Sequence, residues 1–410
     1  MAVTNHAKAA EFYGRMIKTY PSSPRAPSAA YGLARILQEE GNFERASAAY
    51  RKLAGDYPDS EWAPEALYAS AYCRARMDQA DESSKDWKNL IERFPTFGKL
   101  EEAYFRKALD EMRLDANAQA RATFLDLLAK FPDTSYSGQA LFYLGVLLEK
   151  EGKLGEAEKE MRASLEKTPA EKRPEIEFRL VALLQKQGKL GEASDLLQRL
   201  MDGGSLEGLS PALLEWLARY QLERKAFAEA GRAADQLVKL SPEPAWKQIG
   251  WFLLGRARMG LGQEEQARKA FEQSLKQQAR TADGAESAFF LAEVQLASKD
   301  LDGAEKYYQQ AAELSQGTEL LSFRAKSYYG LGQVAGARGQ WDQAARYYMS
   351  VAVLFDDPQL TPECLFRAAE AFGKSNRAED QAKSMEELKT RYPESQWNQH
   401  ESGMEHQVER

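Results

Sequence analysis

The sequence predicts an all-α chain built from a tandem repeat, and three observations carry that expectation. Val, Ile and Thr together supply only 24 of the 410 residues, while Ala, Leu, Glu, Gln, Lys and Arg dominate. The depleted residues are those strands favour and the enriched ones are the strongest helix formers. Apolar residues recur at helical spacing, as in Leu141, Leu144, Gly145 and Leu148, which share one helix face. Finally, one short segment keeps returning: Glu40-Gly41-Asn42-Phe43-Glu44-Arg45-Ala46 reappears as Glu151 to Ala157, as Gln187 to Ala193 and as Arg338 to Ala344. A sheet-based enzyme fold is thereby excluded.

The last small residue of that segment serves as a ruler along the chain. It reads Ala9, Ala46, Ser83, Ala120, Ala157, Ala193, Ala230, Ala267, Ala304, Ala344 and, degenerate, Gln381. The steps are 37, 37, 37, 37, 36, 37, 37, 37, 40 and 37 residues. Self-similarity at a fixed period of this size marks a repeat architecture. At about 150 residues per domain the length suggests two or three domains. Divided by the period instead, it gives a half repeat (1–23), ten repeats in one continuous array (24–395) and a polar, frayed tail (396–410).

Each unit reads as two amphipathic helices around a turn. In unit 138–173, Gly152 makes the turn, and Leu154, Ala157, Met161 and Leu165 form the apolar face of the second helix. Gly145 and Ala157 are small because two antiparallel helices approach closely only where side chains are short. Pro27, Pro64, Pro174, Pro211 and Pro362 share one repeat position at the start of the first helix, where the missing N–H costs nothing. The longer step near Gln316-Gly317-Thr318 marks a local lengthening. The Gly203-Gly204-Ser205 loop, running to Gly208, is expected to be a flexible corner and not a domain boundary. Ala9, Tyr13, Met16 and Pro21 match a second helix without its first, the expectation being a chain cut from a longer protein or a natural capping helix.

The order aromatic or Leu, Leu, Gly/Ala, Gly/Asp turn, aromatic or Leu, Ala, aromatic, Ala/Leu, Pro resembles the tetratricopeptide repeat over residues 5–395. The unit is longer than the usual period of about 34 residues. The resemblance implies a right-handed superhelical solenoid of ten helix-turn-helix repeats whose first helices line a concave groove. Units ending in Tyr57-Pro58-Asp59-Ser60, Phe131-Pro132-Asp133-Thr134-Ser135 and Tyr392-Pro393-Glu394-Ser395 are similar to bacterial cell-envelope members, such as the Tol-system coordinator and the lipoprotein of the outer-membrane barrel-assembly machine. It therefore implies a non-catalytic scaffold that holds a partner protein or peptide, in the periplasm or cell envelope. Two alternatives stand beside it: a module that self-assembles through the N-terminal half repeat, whose apolar face (Phe12, Met16, Ile17) needs a cover, and a regulatory arm of a larger protein.

The fifth position of each first helix is the candidate partner-binding row. It reads Tyr31, Tyr68, Phe105, Phe142, Phe178, Glu215, Phe252, Phe289, Tyr329 and Phe366, aromatic at nine of ten places. Rigid, amphipathic rings suit peptide capture, and they equally suit packing between neighbouring helices. Position nine (Arg35, Tyr72, Leu109, Val146, Ala182, Arg219, Arg256, Glu293, Gln333, Glu370) lacks the Lys and Asn pattern of family members that clamp a C-terminal carboxylate. Glu65, Glu102, Glu175, Glu286 and Glu363 near helix starts, with Arg76, Arg113, Lys150, Lys186 and Lys374 near helix ends, complement the helix dipole or recognise a mixed-charge partner.

Other chemistry is not expected. The three histidines, His6, His400 and His406, lie in terminal segments, which removes His-assisted catalysis and His-containing zinc sites from the repeat body. Acidic residues alternate with Lys and Arg as on solvated faces. Gly330-Leu331-Gly332-Gln333-Val334-Ala335 imitates a dinucleotide fingerprint, but that motif needs a preceding strand. Cys73 and Cys364 are too far apart in sequence to form a local metal motif. A net charge of −7 with interspersed signs gives no nucleic-acid footprint. No apolar run is long enough to insert in a membrane, the N-terminus has no signal-peptide core, and no cofactor is implied.

Overall fold

A computed structural model describes residues 2–204, 209–277, 280–355 and 357–403. Among these residues every long element is an α-helix and no strand occurs. The helices group into two compact units, Met1–Gly208 and Leu209–Arg410. In the first, α1 (Ala2–Thr19) precedes five pairs: α2 (Ala26–Glu39) with α3 (Phe43–Asp56), α4 (Trp62–Arg76) with α5 (Ala80–Arg93), α6 (Leu100–Arg113) with α7 (Asn117–Lys130), α8 (Ser137–Lys150) with α9 (Leu154–Lys167), and α10 (Arg173–Lys186) with α11 (Leu190–Asp202). The second holds α12 (Pro211–Glu223) with α13 (Phe227–Leu240), α14 (Pro244–Gly260) with α15 (Glu264–Gln277), α16 (Ala282–Ala297) with α17 (Leu301–Leu314), α18 (Leu321–Ala337) with α19 (Trp341–Leu354), and α20 (Thr361–Lys374) with α21 (Ala378–Arg391). Ser205–Gly208, in the loop expected to form a flexible corner and no boundary, and His406 lie outside the described residues, and the division between the two compact units falls at that loop.

Why the pairs turn where they do is visible in the backbone. One residue per pair adopts the left-handed conformation: Gly41, Asp78, Asp115, Gly152, Gly188, Lys225, Gly262, Lys299, Gly339 and Asn376, with φ between 52° and 77°. Five of these are not glycine, so the turn is built even where the sequence offers an unfavourable residue. Asn376 does the same work in the last repeat that glycine does elsewhere. Of the repeated prolines, Pro27, Pro174, Pro211 and Pro362 occupy one of the first two helical positions, and Pro64 is the third residue of α4.

Within a pair, closeness follows from the small residues. Ala46, Ser83, Ala120, Ala157, Ala193, Ala230, Ala267, Ala304 and Ala344 are all buried, whereas the end members Ala9 and Gln381 are only half-buried. Opposite them, a Cβ on Gly145 would lie 2.7 Å from Met161 Cγ, one on Gly255 2.5 Å from the Phe271 ring, and one on Gly332 2.6 Å from Tyr348. Gly330 to Ala335 therefore sit mid-helix in α18 as packing residues. The core is correspondingly a series of clusters, such as Tyr50, Leu67, Trp87 and Leu90 or Phe124, Leu127, Leu144 and Leu147. Each repeat buries its apolar face against its neighbours.

In the stretch read as a polar tail, Gln396–Gly403 forms a 3-10 helix. Trp397 there packs on Phe366 with ring centroids 5.3 Å apart.

Candidate functional site

The first helices of successive repeats lie side by side within each unit, and the aromatic row runs along them. Most of its rings point between repeats. Tyr31 sits 5.3 Å from Tyr50 in its own second helix and 4.8 Å from Trp62 at the start of the next repeat. Tyr68 sits between Trp87 and Phe97 in the same way, and Phe105 between Phe124 and a stacked Tyr136. In the second unit Phe252 meets Phe271 and Phe290, Phe289 meets Tyr308 and Phe323, and Tyr329 meets Tyr348. Phe142 touches Tyr143, and Phe366 meets Trp397.

Phe105, Phe252, Phe289 and Phe366 are buried, while Tyr31, Tyr68, Phe142, Phe178 and Tyr329 are half-buried. The row is thus a packing spine that leaves some ring edges open. Its partners on the second helices (Tyr50, Trp87, Phe124, Phe271, Tyr308, Tyr348) are themselves buried. Sequence reasoning had not singled these out, though they recur with the same period one helical turn after the small residue.

The tyrosines of the row carry a second interaction that phenylalanine cannot make. Tyr68 donates to Glu102 Oε2 at 2.6 Å, and Tyr329 donates to Glu363 Oε1 at 2.6 Å. Each glutamate also accepts from an arginine one turn on, Arg106 at 2.6 Å and Arg367 at 2.8 Å. These Tyr–Glu–Arg clasps tie one repeat to the next. Burial alone raises the Glu102 pKa, but donation from Tyr68 and Arg106 outweighs it and holds the carboxyl below its ordinary value. Burial and the Glu363 carboxylate push the Tyr329 hydroxyl up to about 12. The glutamate row read as helix-dipole complement therefore also works across repeats. Glu65 accepts from Lys99 at 2.8 Å as well.

A charged cluster occupies α12, α14 and α16 of the second unit. Glu215, the one non-aromatic member of the row, accepts from Arg219 Nε at 2.9 Å. Arg219 Nη2 reaches past α14 to Asp283 Oδ1 at 3.3 Å. Between them the Arg256 guanidinium lies 4.3 Å from the Phe290 ring centroid and 6.0 Å from that of Phe252. Burial raises the pKa of Asp283 and Glu286 and lowers that of Arg256, so all three charges sit in poorly solvated positions.

Among the described residues no group of three or more His, Cys, Asp or Glu side chains is placed to hold a metal ion. No helix there is long and apolar enough to cross a membrane. Cys73 and Cys364 are buried free thiols, and burial pushes their pKa up, to about 11 and about 12.

Comparison with known proteins adds to this geometry. Family models described as tetratricopeptide repeat match residues 1–71, 65–96, 105–172 and 252–318, together more than half of the chain. No curated protein matches. Similar solved structures include a crystal structure of MamA, with 18% identity over 42% of this chain and 91% of that one, at a TM-score of 0.36. Another is the C-terminal part of a TPR repeat-containing protein from Cytophaga hutchinsonii, with 17% identity over 64% of this chain and 99% of that one, at 0.45. A structure of Naa15/Naa10 bound to HypK-THB shares 15% identity over 97% of this chain and 63% of that one, at 0.41.

Proposed function

Because the chain belongs to the tetratricopeptide repeat family, whose repeats serve as protein-interaction scaffolds, we propose that it is a non-catalytic scaffold holding a partner protein or peptide along its first-helix faces, in a bacterial envelope complex. The observation that carries this reading is the set of aromatic rings left half-buried on first helices, Tyr31, Tyr68, Phe142 and Phe178 in the first unit and Tyr329 in the second. Such rings offer apolar contact at little conformational cost. The envelope setting is supported by the Tyr/Phe-Pro turns that end several repeats.

The test is a double substitution, Phe142→Ala with Phe178→Ala, in the full chain. Both rings are half-buried, so the variant isolates surface contact better than Phe105→Ala, which removes a buried ring at a cost of about 3–5 kcal/mol. Partner capture by crosslinking in envelope extracts is expected to fall at least tenfold while the circular dichroism melt is retained. Undiminished capture by the folded variant refutes the groove reading.

A second reading, self-association through α1, is favoured by one observation. Phe12 on that helix and Tyr20 just past its end are 67% and 65% exposed, while Tyr13 packs under Gly32 of α2. Light scattering decides it: a Phe12→Glu chain should remain monomeric where the parent dimerises, and a strictly monomeric parent removes this reading.

A further inference from the structure

Arginines at positions six and nine of the first helices share a pattern. Arg35 pairs with Glu39, Arg106 with Glu102, Arg179 with Glu149, Arg219 with Glu215 and Asp283, and Arg367 with Glu363. Arg256 departs from it. Its side chain is half-buried in α14 and lies over the Phe290 ring with Cζ 4.3 Å from the centroid, yet no carboxylate among the described residues lies within ion-pair distance of it. The Asp283 carboxylate, which reaches the same region, is already engaged by Arg219. Glu286 on α16 attracts Arg256 without touching it and is also drawn toward Arg219 and Lys326.

A guanidinium taken partly out of water without a carboxylate in contact is costly. Contact with an aromatic face offsets only part of that cost and supplies no oxygen acceptor for the guanidinium N–H groups. Among the side chains of a polypeptide, the group that satisfies such donors bidentately is a carboxylate. The position-nine row has no Lys and Asn at the places a terminal-carboxylate clamp needs, so the site holds one fork and not a clamp.

We propose that Arg256 anchors an Asp or Glu side chain of a partner polypeptide lying along α12, α14 and α16. The proposal rests on the reading of the first-helix face as a binding surface and names the chemistry recognised there. Phe290 supplies an apolar wall of the site with the buried Phe252 packed behind it, and the Glu215–Arg219–Asp283 bridge closes the side toward α12. The arrangement selects a negative side chain at one register of the bound segment.

The experiment uses the full chain and a random dodecapeptide library displayed as an internal fusion, so that no terminal carboxylate is presented. The best binder is then synthesised with both ends blocked, and its affinity is read by fluorescence anisotropy. The expected result is an enriched Asp or Glu at one position. Arg256→Gln should weaken the peptide about 10- to 100-fold, the range of a charge-assisted contact, and should abolish its preference for Glu over Gln at that position. Glu286→Gln, which removes a competing carboxylate, should leave affinity unchanged or tighten it.

Equal affinity of the parent and Arg256→Gln chains for the acidic peptide overturns the proposal. So does a loss on Glu286→Gln as large as that on Arg256→Gln, since the two would then form a structural pair. Failure to select any acidic binder counts against it as well. Amide exchange separates this from the broader reading: peptides that protect α14 and α16 without needing Arg256 sink only the anchor, whereas peptides that protect neither helix sink the binding face itself.

Discussion

The ten left-handed turn residues allow a prediction in which one substitution changes sign with position. Gly152 has φ +77° and open space where a Cβ would go, so Gly152→Ala meets no clash and pays only for backbone conformation. An L-residue in that region costs about 1–2 kcal/mol, and the less flexible unfolded chain returns about 0.4–1 kcal/mol. The net is a loss near 1 kcal/mol. Gly55, inside α3 of the same unit, also has open space around it and no positive φ. Gly55→Ala should therefore gain about 0.4–1 kcal/mol. The reverse change applies at Lys225 and Lys299, whose φ values are 60° and 63° and whose side chains are exposed. Replacing either by Gly should gain about 0.5–1 kcal/mol on the same arithmetic. In units of this size about 1 kcal/mol moves the melting midpoint by about 2–4 °C. Thermal melts followed by circular dichroism should thus rank Gly55→Ala above the parent and Gly152→Ala below it, with Lys299→Gly above. A Lys299→Gly chain that melts at or below the parent, while Gly55→Ala behaves as expected, would refute the assignment of strain to these turns.

Helix contact gives a second contrast. Gly255→Ala drives a Cβ to 2.5 Å from the Phe271 ring, whereas Gly145→Ala meets chiefly the flexible Met161 side chain at 2.7 Å, so chemical denaturation should show the larger loss at Gly255, about 1–3 kcal/mol. The Tyr–Glu–Arg clasps predict that Tyr68→Phe costs more than removal of a neutral hydrogen bond, about 1.5–3 kcal/mol, and that Tyr329→Phe behaves alike; amide exchange in α6 and α20 should rise. Asp110, 2% exposed, has its pKa raised by burial in spite of Ser83, Arg113 and Trp87 beside it. A carboxyl whose folded pKa lies above its unfolded value destabilises the fold at neutral pH, and the penalty fades as pH falls through the raised value. Asp110→Asn should accordingly raise the urea midpoint at pH 7 by more than at pH 4, and an equal effect at both would show that the carboxyl is not the source.

Much of this fold is periodic and was therefore legible. The ruler residues from Ala46 to Ala344 mark helix–helix contacts because only a small side chain lets two backbones close up, and the structure buries every one of them. Gly41, Gly152, Gly188 and Gly339 mark turns for the equally local reason that they take positive φ without cost. Where Asp78, Lys225 or Lys299 stands instead, the turn is the same, since packing of the two helices outweighs the preference of one residue. Identity at the fifth position also had a readable logic. Tyr31, Tyr68 and Tyr329 are each followed 34 residues later by Glu65, Glu102 and Glu363, and two of these pairs are hydrogen-bonded clasps.

The aromatic row shows where one-dimensional reading stops. Period and residue type place nine rings on one helix position, and they do so whether the rings face a ligand or a neighbouring repeat. Which it is depends on how far the next repeat's Trp62, Phe97, Tyr136 or Phe323 reaches over them, and that is set by inter-repeat packing. The same holds for charge. By itself the sequence determined the helices, their pairing and the 37-residue period, because propensity, turn chemistry and small-residue contact are local properties that repeat. Only the tertiary structure decided that Arg219 reaches across a whole repeat to Asp283 while Arg256, between them, lies on Phe290 without a carboxylate partner among the described residues. Ion pairing depends on distances of a few ångströms between side chains on different helices, and no periodicity in the chain encodes those.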